Sequence, residues 1–191
     1  MTADALLLAA ERMFAEHGAD VPLRDIAKAA GQRNNSAVQY YFGDRQGLVQ
    51  AIVVRRLASV ESSSARLLAQ IDARDTHALV DALVTSLLDA STEQGGTHYF
   101  RFLEVMRNHV KSWPADEGGS AWSTITETLG ELLPDGTQHE RSSRISSMAT
   151  TLFALLADHE RASEAADALG PTRRQIVEML VGLLGAPLHP Q

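Results

Sequence analysis

The 191-residue chain contains no cysteine, which removes disulfide frameworks and thiolate metal sites from consideration. It has no apolar run of the roughly 20 residues that a membrane-spanning helix needs, and Met1 to Leu8 lacks the basic start of a secretory signal. A cytoplasmic protein with no membrane partner is expected. Catalytic signatures are missing too, with no HExxH, no glycine-rich phosphate loop and no nucleophile elbow. Ser62-Ser63-Ser64 and Thr150-Thr151 fall in helical sequence without an evident base. His98 and His109 share one face of an expected helix but lie about three turns apart, too far to chelate one ion. His139 and His159 are similarly separated. No enzyme, cofactor or metal site is expected. Strand patterns, repeats and low-complexity tracts are also absent, which leaves an all-α fold of about nine helices.

Positive charge is scarce, with 17 Lys/Arg against 24 Asp/Glu and a net charge of −7. The balance argues against nucleic acid, but it is uneven. Residues 1–56 hold 7 Lys/Arg and 6 Asp/Glu, and the rest hold 10 and 18. A near-neutral head on an acidic body can still meet DNA, because phosphate contacts depend on local basic groups. With 45% apolar and 21% charged residues, the chain should be globular.

What is present centres on Leu23 to Leu48, LRDIAKAAGQRNNSAVQYYFGDRQGL. Ile26, Ala27 and Ala30 give a first short helix its apolar face, and Gly31 supplies the left-handed exit. Asn34 suits the N-cap of the next helix, roughly Asn35 to Tyr41. That helix offers only Ala37 and Val38 to a core. So polar a helix makes sense against a polar partner, as in a helix-turn-helix that offers its second helix to the DNA major groove.

Before it, Leu6, Ala9, Ala10, Met13 and Phe14 stripe a helix ending at Gly18, and Asp20 and Pro22 open the next. Asp44 caps a long fourth helix reaching about Ile71, with a bend or break allowed at Ser62-Ser63-Ser64. Helices follow over roughly Thr76 to Ser91 and Thr97 to Trp113, then around Trp122 to Leu133. Thr137 and Glu140 have capping-box spacing for an eighth helix, and Gly170-Pro171 opens a ninth. Residues 1–46 form the expected helix-turn-helix domain, and residues 47–191 a helical bundle.

LLLAAERMFAEHG, RDIAKAAG and YFGDRQGL, in this order and spacing, resemble the TetR-type transcriptional repressors over about the first 55 residues. The resemblance implies a homodimer whose eighth and ninth helices pair into a four-helix bundle. It also implies two heads on a palindromic operator, and a small molecule that pushes helix 4 and releases DNA. The turn Gly31-Gln32-Arg33-Asn34 looks one residue longer than usual. Gln39 stands where the family usually has Tyr, Tyr41 where it often has His, and Pro22 where a capping Thr is common.

The partners expected are double-stranded operator DNA, a small-molecule effector and a second copy of the chain. Asn35 and Gln39 suit adenine, and Arg33 suits guanine. Ser36, Tyr40, Tyr41 and Arg45 suit phosphates, the last at a helix start. Tyr41 could instead pack on helix 1, and Lys28 meets phosphate or is simply solvated. Phe42 is core. Tyr99, Phe102, Leu103, Met106, Trp113 and Trp122 are candidates for an apolar pocket with Arg107 and His109 as polar handles, or for ordinary core. Leu152, Phe153, Leu156, Ile176, Leu180 and Leu184 are assigned to a dimer interface, against an internal core. A ligand carrier or protein-interaction module that keeps a non-DNA-binding head is the alternative function.

Overall fold

A computed structural model describes residues 2–32, 34, 36–93, 98–106, 120–133, 136–165 and 169–187. Among the described residues there are nine helices and no strand. The head consists of α1 (Thr2–His17), α2 (Leu23–Ala29) and α3 (Ala37–Phe42). Leu6, Ala10 and Phe14 of α1 are fully buried, together with Ile26, Ala27 and Val38. Gly31 adopts φ +72° at the end of α2. There Gly31 N–H donates to Lys28 O and Gln32 N–H to Ala27 O, the paired bonds that satisfy a helix's last carbonyls. Asn34 does not cap α3 itself. Its Oδ1 accepts from Ser36 N–H at 2.9 Å, closing the turn just before the helix.

Helix α4 (Arg45–Leu68) starts at Asp44, whose side chain accepts from Gly47 N–H. It runs unbroken through the three serines. Ser63 and Ser64 are buried, and the Ser64 hydroxyl donates to Ser86 Oγ of α5 (Thr76–Glu93) at 2.9 Å. Tertiary packing thus overrides weak helix propensity. Next, α6 (Tyr99–Met106) is wedged between α1 and α8 (Gln138–Ala165) with five of its eight residues buried. The expected continuation of α6 to Trp113 lies outside the described residues. Ser120 caps α7 (Ala121–Leu132). Thr137 and Glu140 bond reciprocally ahead of α8. Thr172 and Gln175 make a second capping box for α9 (Arg173–Gly185).

The residues assigned to a dimer interface need correction. Leu152, Leu156, Ile176, Leu180 and Leu184 are at most 1% exposed in the single chain, so they have no surface to give a second copy. Phe153 faces a cavity instead. The wide apolar faces are shared among several internal neighbours. Helix α9 packs on α5 and α8, and α8 packs also on α6 and α7.

A buried arginine ties head to body. Arg56 of α4 is 0% exposed. Its Nε donates to Glu11 Oε2 at 3.0 Å and a terminal nitrogen to Glu11 Oε1 at 2.6 Å. Its other terminal nitrogen reaches Ala90 O and Ser91 O, among the carbonyls left open at the end of α5. The guanidinium also lies 5.3 Å from the Tyr99 ring centre. One side chain thus joins α1, α4, α5 and α6. Burial, with Glu11 adding and Arg56 opposing, pushes the Tyr99 phenol well above its ordinary pKa.

Candidate functional site

Two features stand out, one in the head and one in the body. Ala37 and Val38 bury the inner side of α3, and Ser36, Gln39, Tyr40 and Tyr41 remain exposed on it. Tyr40 is 81% exposed, its ring edge-on to Tyr41 at 5.0 Å. A bulky phenol standing in water on a six-residue helix adds nothing to the fold. Lys28 is exposed on the neighbouring α2. Phe42 is half-buried and packs on the core. Arg33 and Asn35 lie outside the described residues.

Arg45 has a different occupation from the phosphate contact expected of it. Its guanidinium donates to Ala19 O, and to Val21 O at 2.7 Å, and sits 5.6 Å from the Phe14 ring centre. It therefore braces the loop between α1 and α2 from a half-buried position. Charge-assisted bonds of this kind are stronger than neutral ones.

The body holds a cavity of about 840 Å³ between α4, α5, α6, α7 and α8. Of the sequence candidates, Tyr99, Leu103 and Trp122 line it, whereas Phe102 and Met106 do not. Phe102 turns to the head, 6.1 Å from the Phe14 ring, and both it and Met106 are fully buried core. Arg107, His109 and Trp113 lie outside the described residues. The wall that sequence reasoning missed comes from α7 and α8. Phe153 stacks on Trp122 at 5.8 Å with a 20° interplanar angle. Arg141 also lines the cavity, and its buried Nε has no hydrogen-bond partner among the described residues. Glu127 and Glu131 lie at the exposed rim. Val53, Leu57 and Val60 of α4 close the side nearest the head.

Residues 6–52 match the family model described as bacterial regulatory proteins, tetR family, a span from α1 into α4. The head is of the tetR type over that span. The chain's head is similar to the N-terminal helix-turn-helix domain of these regulators, and its described residues form a TetR-like all-helical fold. Three solved structures extend the likeness over nearly the whole chain. PfmR, a TetR family transcriptional regulator from Thermus thermophilus, is 15% identical with a TM-score of 0.57, over 96% of this chain and 99% of that one. SmeT, the repressor of the Stenotrophomonas maltophilia multidrug efflux pump SmeDEF, is 19% identical with a TM-score of 0.57, over 95% and 89%. LfrR, a TetR-like transcriptional regulator from Mycobacterium smegmatis solved with proflavine, is 22% identical with a TM-score of 0.51, over 99% of both chains. At such identities the shared fold is what these structures establish. No curated protein sequence matches the chain.

Proposed function

We propose that this chain is a ligand-responsive transcriptional repressor of the TetR family, acting in the cytoplasm. Residues 1–46 bind one half of a palindromic operator, and residues 47–191 bind an effector and a second copy of the chain. The observation that carries the reading is α3, a short helix with two buried residues and an exposed row of hydrogen-bonding side chains. Gln39 reads a base edge, and Arg33 and Asn35 are the other candidate base readers. Ser36, Tyr40, Tyr41 and Lys28 meet the phosphate backbone. Arg45 acts by holding the head in shape.

The effector is flat and largely apolar, slides against the Trp122–Phe153 wall, and offers an acceptor to Arg141. The LfrR structure holds a flat aromatic molecule, proflavine, which supports that shape. Because α4 runs from the head to the cavity wall, a ligand that displaces Val53, Leu57 and Val60 moves the head. Release follows if the ligand binds the displaced arrangement more tightly than the DNA-bound one. Dimerisation uses the outer surface of α8 and α9, where Ser143, Ser147 and Leu183 share a shallow groove and Met179 is 44% exposed.

Replacing Gln39 by Ala tests the reading head. Anisotropy titrations should show a loss of about 1–3 kcal/mol confined to particular base pairs. An equal loss on scrambled DNA would remove Gln39 as a base reader.

A further inference from the structure

We propose that Glu16, His98 and Glu164 form a binding site for one divalent cation of the zinc class at the junction of head and body. Glu16 lies near the end of α1, His98 immediately precedes α6, and Glu164 lies near the end of α8. One ligand atom from each lies within 4.8 Å of the other two. The sequence pairs His98 only with His109, a turn-count too far away, whereas the fold brings it two carboxylates from other helices.

The distances favour an ion over direct pairing. His98 Nε2 is 3.4 Å from Glu16 Oε1 and 3.5 Å from Glu164 Oε1. Charge-assisted hydrogen bonds between such groups contract to about 2.7–2.9 Å. Ligands set about 2.0–2.1 Å from a tetrahedral zinc ion stand roughly 3.4 Å from one another, which both measured edges meet. The remaining edge closes by rotation of the two glutamates, which are 35% and 44% exposed at their side chains.

The surroundings also suit a metal. Each carboxylate turns its second oxygen to another basic group. Arg101 holds Glu164 Oε2 at 2.5 Å, and His17 lies 3.7 Å from Glu16 Oε2. Such outer contacts orient the ligating oxygens. Arg101 is itself shared with Glu160 at 3.4 Å, so among the described residues the carboxylates around the site outnumber this arginine. The imidazole is 15% exposed, and three protein ligands leave the fourth position of a tetrahedral ion to water. One imidazole and two carboxylates are acceptable to zinc and to its first-row neighbours. An ion there cross-links α1 of the head to the start of α6 and the end of α8.

The test is titration of the chelator-treated full chain with Zn²⁺ by calorimetry, and with Co²⁺ by its visible ligand-field bands. One ion per chain is expected. His98→Asn and Glu16→Gln should each weaken binding more than about 10-fold, since outer-sphere changes alone cost 10–100-fold. Glu16 is exposed, so its variant should keep the wild-type circular dichroism. His77→Asn, at a histidine paired elsewhere with Glu178, should bind as the wild type does. No saturable binding, or one-to-one binding that survives both substitutions, would overturn the proposal. So would a melting temperature that does not respond to Zn²⁺, since the cluster would then be an ion pair only. None of these readouts depends on DNA.

Discussion

Replacing Glu11 by Ala should destabilise the chain by about 3–5 kcal/mol, the usual cost of removing one partner from a buried ion pair. Arg56 has no exposed surface, and two of its nitrogens donate to the Glu11 carboxylate at 2.6 and 3.0 Å. The Ala90 and Ser91 carbonyls occupy only the remaining terminal nitrogen. The variant therefore leaves two charged donors buried and unmet. For a domain of this length, 1 kcal/mol moves the melting temperature by about 2–4 °C, which gives a fall of roughly 6–20 °C. The double variant Glu11→Met with Arg56→Met removes both charges and keeps the volume, and should recover much of the loss. Urea unfolding of wild type, Glu11→Met, Arg56→Met and the double variant closes the cycle, with a coupling energy above about 2 kcal/mol expected. A loss under about 1 kcal/mol for Glu11→Ala, or single effects that simply add, would refute this account of the head–body joint.

Burial raises the Glu160 carboxyl to about pKa 7, against the opposing N–H groups of Arg101 and Phe100. A carboxyl raised in the folded state retains its proton where the unfolded chain has lost it, so stability falls as pH rises from about 4.5 to 7. The fall should be on the order of 3 kcal/mol. Glu160→Gln should flatten that dependence, read from urea midpoints on either side of the window. Arg45→Ala should cost the head about 2 kcal/mol of stability through its lost carbonyl contacts, leaving the salt slope of DNA binding unchanged. A flattened slope would return Arg45 to the phosphates. Gly182 lies on α9 with open space around its missing side chain, so Gly182→Arg should fold normally but sediment as a monomer. A dimer would place the interface elsewhere.

Local chemistry was the legible part of the sequence. Gly31, Asp44 and the Thr137–Glu140 pair act within one turn of themselves, and each performs the bond its residue type suggests. Helical period shows which face of α8 and α9 is buried, but not what buries it. Leu152 and Leu180 therefore read as an interface when α5, α6 and α9 already cover them. Phe102 and Leu103 are neighbours on α6, yet only Leu103 meets the cavity, a choice made by where α1 packs. The Glu11–Arg56 pair spans 45 residues and four helices, with no local pattern to announce it. Phe153 and Arg141 reach the cavity from α8, whose inner side could be told from its outer side only once α7 was in place.

The central claim is that α3 reads DNA for a dimer released by an effector. Its most direct test is to select binding sequences for the full chain from random duplexes, then titrate the best one against a scrambled duplex at near-physiological salt. The account predicts a palindrome bound by two chains, at least about 10³-fold more tightly than the scrambled duplex, with the preference lost in a Tyr40→Ala, Gln39→Ala double variant. Selection that yields no palindrome, with affinity no better than for scrambled DNA, would contradict it and favour a helical ligand carrier that keeps a silent head.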